Sequence, residues 1–343
     1  MDTSKKVVVC GGGGFIGGHL VADLLKRGHK NVRCVDVKPL DQWYQVHGDA
    51  DNVVADLNLL DACRNAVKGM DVVINLACNM GGMGFIENNK GLCMVSVLIN
   101  THLLQAAKEK GGVDRFFYAS SACVYNGDKQ KEKKIETFLK EEDAYPAMPE
   151  DGYGWEKLFS ERMCRHFRED WKIPTRVARF HNVYGPFGTF EGGREKAPAA
   201  ICRKVIDAKL SGKHDIEIWG DGHQTRSFMY ISDCLKGIYM ITDSETWHDP
   251  INLGSSEGVS INQLVDIVED IAGIKLKRSY NLDAPKGVNG RNSDNTLIKE
   301  VFNWEPNTKL RDGMEKTYKW IYDQMAPRYS KGAKAAPALA GKH

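Results

Sequence analysis

Short β-branched runs alternate with amphipathic stretches through the first half of the chain. Val7–Val9, Val32–Val35, Val53–Ala55, Val72–Leu76 and Phe116–Ala119 read as strands. Phe15–Lys26, Leu60–Val67, Lys90–Lys110 and Tyr153–Asp170 carry apolar residues at helical spacing and read as helices. Repeated strand–helix units of this kind build a parallel sheet with crossover helices, so the pattern predicts an α/β fold with a doubly wound parallel sheet. Thr175–Phe180 continues the series as one more strand. The rhythm then breaks at Tyr184-Gly185-Pro186-Phe187-Gly188 and Gly192-Gly193, which marks a lobe boundary. From Ala326 to His343 the chain is rich in Ala, Lys and Pro without periodicity and is expected to be a mobile tail. No internal repeat is present.

Composition changes the picture mainly by exclusion. With 343 residues, 42% of them hydrophobic, the chain can bury a sizeable core and form two lobes. Forty-seven Lys and Arg against forty-five Asp and Glu leave a net charge of +2, too even for nucleic-acid or membrane-surface binding by bulk electrostatics. Nine cysteines, with no C-x-x-C pair and no zinc-like Cys/His spacing, argue against both a disulfide framework and a metal site. Met1–Lys6 leads straight into Val7–Val9 without the apolar segment of a signal peptide or membrane span, so a reducing cytoplasm is expected.

Chemistry first shows between the first strand and the first helix, in Cys10-Gly11-Gly12-Gly13-Gly14-Phe15-Ile16-Gly17. Gly11 permits a tight turn, Gly14 lets backbone approach a pyrophosphate where Phe15 and Ile16 open the helix, and Gly17 allows close helix–sheet packing. Asp36 ends the second strand, where a carboxylate meets an adenosine ribose and repels the extra phosphate of NADP; nearby Lys38 tempers that preference. Asp56, after the third strand, is placed to meet the adenine amine. Without the glycines both carboxylates would read as solvated loop residues; with them, NAD binding is the better reading. A second constellation follows at the end of the fifth strand. Ser120-Ser121-Ala122-Cys123 precedes Tyr153-Gly154-Trp155-Glu156-Lys157, and a Tyr and Lys four apart share a helix face, so the ammonium can lower the phenol's pKa while Ser121 bonds the same substrate oxygen. Cys123 lies two residues beyond Ser121, and a thiol is not needed to move a hydride. A lone buried cysteine is ordinarily a small core residue, which is the reading for Cys10, Cys34, Cys63 and Cys202.

Gly11, Gly14, Gly17, Asp36, Ser121, Tyr153 and Lys157, taken in order, resemble the extended short-chain dehydrogenase/reductase family, the sugar-nucleotide epimerases and dehydratases. Asn182-Val183-Tyr184-Gly185-Pro186, Trp219-Gly220-Asp221-Gly222 and Gln224–Phe228 are similar to its substrate-lobe segments, so the likeness spans nearly the whole chain. The resemblance implies a Rossmann-type domain over residues 1–181 and about 229–254, and a smaller α/β lobe for the sugar nucleotide over 182–228 and 255–325. It implies NAD as cofactor, a homodimer, Tyr153 as acid/base, Lys157 on the nicotinamide ribose and Ser121 orienting the substrate oxygen.

Within the family, Asn79–Ile86, Gly192–Ala200 and Gly290–Asn295 carry the likeness furthest, toward members that take GDP-mannose. That likeness makes Cys123 and Lys196 an acid/base pair, able to remove a proton beside a transient ketone and return one to the opposite face. A neighbouring Lys196 ammonium would favour the Cys123 thiolate. It places Gly81, Ser121, Cys123, Asn182, Glu195, Lys196, Ala197, Lys204, Gln224, Thr225, Arg226 and Arg291 on the substrate, with the two arginines as forks for the diphosphate. Arg291 could instead pair with Asp294. Other readings stay open: a 4-epimerase or 4,6-dehydratase using the same hydride apparatus, or a non-catalytic NAD-sensing module. The chain departs from the likeness at Asn126-Gly127-Asp128 and the Lys-rich Lys129–Lys134 beside the site, which puts the product ratio in question.

Overall fold

A computed structural model describes residues 1–131 and 138–330. Its first half runs β1 (Val7–Cys10), α1 (Phe15–Lys26), β2 (Val32–Asp36), β3 (Asp51–Val54), α2 (Leu60–Val67), β4 (Val72–Asn75), α3 (Met83–Asn88), α4 (Lys90–Val95), α5 (Val97–Lys110) and β5 (Arg115–Ser121). There follow β6 (Phe138–Leu139), α6 (Asp151–Trp171), β7 (Thr175–Phe180), β8 (Val183–Tyr184), α7 (Ala197–Ser211), β9 (Asp215–Trp219), β10 (Thr225–Ser227), β11 (Met229–Tyr230) and α8 (Ile231–Asp243). The chain continues through β12 (Ile251–Leu253), β13 (Gly258–Ser260), α9 (Ile261–Ala272), β14 (Lys277–Asn281), β15 (Gly290–Ser293), α10 (Thr296–Phe302) and α11 (Leu310–Ser330).

Seven parallel strands in the order β12-β7-β5-β4-β1-β2-β3 form the main sheet. β1 lies inside it, with every residue fully buried: Val7 and Val9 join one apolar cluster with Leu20, Leu24 and Phe117, while Val8 and Cys10 join another with Val73, Phe116 and Tyr118. The unbroken Val-Val-Val-Cys run is thus explained by burial of alternate side chains on both faces. The strand order reverses between β1 and β4. Open parallel sheets place their ligands at that switch, beyond the strands' C-terminal ends.

Two departures from the sequence pattern bear on the site. The helix expected over Lys90–Lys110 divides at Ser96, whose buried hydroxyl accepts the Asn79 N–H at 2.8 Å and so ties the segment after β4 to this helix. At the other end of the chain, α11 carries helix through Ser330, past Ala326 where the aperiodic composition suggested a tail. The remainder of that expected tail, 331–343, and residues 132–134 of the Lys-rich insert lie outside the described residues.

Beyond the main sheet, β13-β10-β15-β6 make a four-stranded sheet, β9 pairs β14 and β8 pairs β11. α7 packs on α9 and α11 through a shared apolar cluster that includes Cys202, Val205, Leu264, Val268, Met314 and Ile321. Two consequences reach the site. β10 and β15 run parallel with Arg226 opposite Arg291, and α7 begins directly after Lys196.

Candidate active site

The glycines after β1 are required by contact as well as by conformation. Gly11 has φ +84°, and a Cβ on it would come within 2.9 Å of the Ala77 backbone nitrogen. A Cβ on Gly17 would lie 2.1 Å from the Gly11 carbonyl oxygen, so the helix packs on the turn at glycine distance. Gly14 is the N-cap of α1, and no side chain caps that end, which leaves its positive pole to an anion. Asp36 ends β2 with its carboxylate accepting the Lys38 N–H, while the Lys38 ammonium turns back onto the Gly13 carbonyl at 2.7 Å. Lys38 is therefore engaged with the glycine turn, and the reservation it raised about NAD weakens. Asp56 holds its own loop, accepting from the backbone and side chain of Asn58. Glycine turn, helix pole and terminal carboxylate gather at the C-terminal ends of β1 and β2, an arrangement that fits a dinucleotide.

Beyond the C-terminal end of β5 the start of α6 packs against the turn that carries Cys123. Ser121 caps the short 3-10 turn Ala122–Val124, its hydroxyl accepting the Cys123 N–H at 3.2 Å. The Cys123 carbonyl accepts the Glu150 N–H at 3.0 Å, and a Cβ on Gly154 would lie 2.3 Å from that same oxygen. The glycine between Tyr153 and Lys157 thus lets α6 close onto the Cys123 turn. Tyr153 and Lys157 are both buried; Lys157 Nζ donates to the Ala119 carbonyl at 3.1 Å and lies 5.5 Å from the centre of the Tyr153 ring.

The electrostatics differ from expectation at two points. Lys157 was expected to draw the Tyr153 phenol below its ordinary value. Instead burial pushes it well up, reinforced by Cys78, Cys123 and Glu156, while the Ser121 hydroxyl pulls the other way. Lys157 is itself raised: burial alone would lower it, but Cys78 and Glu156 outweigh that. The cation beside Cys123 is Arg291, whose Nη1 lies 3.2 Å from Sγ. Burial raises the thiol and Arg291 draws it back. The other Arg291 nitrogens bind Gln130 and Glu150, each at 2.6 Å, so its ion pair is with Glu150 and not Asp294.

The segment that carries Lys196 is held against the loop after β4. The loop after β4 and the segment before α7 clasp each other: Gly82 N–H donates to the Arg194 carbonyl at 3.1 Å, and a Cβ on Gly82 would strike the Glu195 carbonyl oxygen at 2.4 Å. Cys123, Cys78 and Cys234 favour the charge of the Lys196 ammonium, while burial holds it below the ordinary lysine value. Gly81 lies in the clasped loop against Phe85. Glu195 accepts from Gly193 N–H and from Arg203, and Ala197 opens α7.

The remaining substrate-lobe residues are engaged within the chain. Arg226 holds the carbonyls of Lys286 and Val288, and burial together with Arg291 lowers it to about 10. Lys204 donates to the Glu217 carbonyl, Gln224 to the Trp219 carbonyl and Asn182 to the Ser227 carbonyl; Thr225 is buried on β10. Cys10, Cys34, Cys63 and Cys202 are fully buried core thiols, as read. Four residues at the pocket were missed: Cys78, Gln130, Glu150 and Glu156. Glu156 stood within the quoted Tyr153–Lys157 pentapeptide, and Cys78 directly before the quoted Asn79 loop; the other two had no local signal.

Among the described residues no group of three or more His, Cys, Asp or Glu could hold a metal ion, and no helix is long and apolar enough to cross a membrane. A dinucleotide crevice at a sheet switch point, with a buried Tyr–Lys pair beside it, defines a nucleotide-dependent α/β enzyme. The profile of the NAD dependent epimerase/dehydratase family matches residues 7–254, and the chain belongs to that family. It is 44% identical over 332 residues to GDP-mannose 3,5-epimerase 1 of Oryza sativa subsp. japonica, covering 96% of this chain and 85% of the relative. It is 43% identical over 337 residues to GDP-mannose 3,5-epimerase of Arabidopsis thaliana, with the same coverage. Among solved structures, MoeE5 in complex with UDP-glucuronic acid and NAD superposes with a TM-score of 0.78 at 28% identity, covering 93% of this chain and 99% of that one.

Proposed function

We propose that this chain converts GDP-mannose to GDP-L-galactose by inverting the 3 and 5 positions of the hexose, with GDP-L-gulose as the side product of single inversion at the 5-position. What supports this reading is that Cys123 acts electrostatically on both Lys196, distant from it in sequence, and Tyr153, the partner of Lys157 on α6. Gly11, Gly14, Phe15, Ile16, Gly17, Asp36 and Asp56 would hold NAD. When bound, NAD supplies oxidation of the 4-hydroxyl carbon to a ketone and the reverse reduction.

Tyr153 accepts the hydroxyl proton as the ketone forms and returns it at the end, while Ser121 orients that oxygen. The ketone makes the neighbouring C–H bonds acidic, because the enolate shares its charge with the carbonyl oxygen. Cys123 as thiolate takes the proton from one face and Lys196 as ammonium delivers one to the other. Burial raises the thiol and lowers the ammonium, which brings the two proton affinities together and eases exchange in both directions. Gly81, Asn182, Glu195, Ala197, Lys204, Gln224, Thr225, Arg226 and Arg291 would bind the sugar nucleotide. Incubation with GDP-mannose in deuterated water should place label at positions 3 and 5. No label at either position overturns the reading, and label at 6 with loss of water would make the chain a 4,6-dehydratase.

The same reading assigns residues 1–181 and about 229–254 to the cofactor lobe, supported by α8 packing on β5 and β7 and by β12 joining the sheet edge. A homodimer is supported by exposed Leu92, Met94, Val95 and Leu98 on α4 and α5 beside Trp155 and Phe159 on α6, an apolar face on the cofactor lobe. Phe159→Glu should shift sedimentation from dimer to monomer. Nine free cysteines fit a reducing cytoplasm.

A further inference from the structure

Glu156 is buried one residue before Lys157, and nothing in the proton-exchange scheme uses it. α6 turns it inward onto β5. Its Oε1 accepts from the Tyr118 hydroxyl at 3.0 Å and the Ser160 hydroxyl at 3.1 Å. Oε2 has no hydrogen-bond partner and lies 3.7 Å from Lys157 Nζ, with both side chains almost wholly shielded from water. A buried carboxylate with one bare oxygen is costly, and the nearest group that offsets the cost is the ammonium meant to act on Tyr153.

We infer that Glu156 is a positioning residue that sets the proton affinity of Tyr153: by balancing the Lys157 ammonium it makes Tyr153, once it has taken the substrate's hydroxyl proton, hold that proton until the ketone is reduced. The inference rests on the reading of Tyr153 as the acid/base. The groups around the phenol are consistent with it. Tyr153 faces Cys78 after β4, Cys123 and Ser121 at the end of β5, and Glu156 and Lys157 on its own helix. Cys93 on α4 and Tyr118 on β5 lie toward Glu156, and Lys196 faces Cys123 and Cys78. Burial, then Glu156, also hold the Tyr118 phenol up, so it remains an O–H donor to the carboxylate.

The consequence is chemical. During the inversions negative charge gathers on the ketone oxygen, and a phenol that has kept its proton presents an O–H donor there. A tyrosine that released that proton early, under an unopposed ammonium, would present a second negative charge instead. A simple hydride exchange ends with the ketone; a reaction that must stay at the ketone stage gains from a tyrosine that holds its proton.

The test is titration of Tyr153 in the NAD-loaded enzyme by tyrosinate absorbance, taken as the difference between each protein and the same protein carrying Tyr153→Phe. Glu156→Gln keeps an acceptor for Tyr118 and Ser160 and removes the charge, so the Tyr153 midpoint should fall by about one pH unit or more. The acid limb of turnover against pH should move down by a similar amount. Glu156→Asp, which keeps the charge one methylene further back, should give an intermediate midpoint. It is read in the same way if the Gln variant does not fold. A midpoint that stays at or above the wild-type value overturns the inference. The titration needs no sugar nucleotide, so its failure is separable from failure of the GDP-mannose reading.

Discussion

The proposed cofactor site and the proposed proton-exchange site are built in opposite ways. The crevice comes from one continuous strand–turn–helix, and its properties are steric: Gly11 at φ +84° and Gly17 with no room for a Cβ. The pocket comes from the ends of β4 and β5, the start of α6, the segment before α7 and β15, and its properties are electrostatic. Cys123, Tyr153 and Lys196 are all moved from their ordinary proton affinities, chiefly by burial. A crevice of the first kind tolerates change in its surroundings and fails when its backbone is crowded. A pocket of the second kind can keep its shape and lose its chemistry when a single charge is removed.

The largest effect should separate the two regions cleanly. Cys123→Ala leaves NAD binding and the fold in place and lowers deuterium incorporation by about a thousandfold, the scale of a lost general base. Exchange at the wild-type rate would remove Cys123 from the mechanism. On the crevice side, Gly17→Ala puts a methyl against the Gly11 carbonyl and should cost about 3 kcal/mol in denaturant unfolding, together with NAD affinity. If stability were unchanged, the turn would be softer than its contacts imply.

A smaller change sharpens the electrostatic half. Removing the Arg291 guanidinium takes away the chief counterweight to burial and Glu150 at Cys123, so Arg291→Met should raise the thiol and shift the pH profile of Cys123 alkylation up by about one unit. Glu150→Gln, which leaves Arg291 beside the thiol, should not raise it.

The smallest effect belongs to the joint between the regions. His181 is fully buried at the end of β7, with Nε2 on Asn252 Oδ1 at 2.9 Å, and burial lowers it to about 3. The unfolded chain binds a proton near pH 6.5 that the folded chain refuses until about pH 3. Stability from this group is therefore full above 6.5 and falls as pH drops. Between pH 6.5 and 5.5 unfolding should lose about 1 kcal/mol, and His181→Asn should flatten that slope.

Local physics was legible along the chain. α1 and α2 occupy Phe15–Lys26 and Leu60–Val67 as the apolar spacing indicates, and Asp36 ends β2. The gathering of Ser121, Tyr153 and Lys157 beyond the end of β5 was legible too, because open parallel sheets place their sites at the C-terminal ends of the strands. Less legible was the break at Ser96, since helical periodicity does not register that a hydroxyl is needed by a distant loop.

The sequence by itself determined the sheet and the glycine turn and singled out the candidate reactive groups, because side-chain periodicity and the absence of a Cβ act over a few residues. Tertiary structure alone decided which charges those groups meet. It brought Arg291 rather than Lys196 against the Cys123 thiol, paired Arg291 with Glu150 rather than Asp294, and set Glu156 and Cys78 around Tyr153 and Lys157 so that the phenol is raised and not lowered. The physical reason is that proton affinity follows burial and the nearest charge, and both are properties of the space around a residue, which neighbours remote in the chain supply.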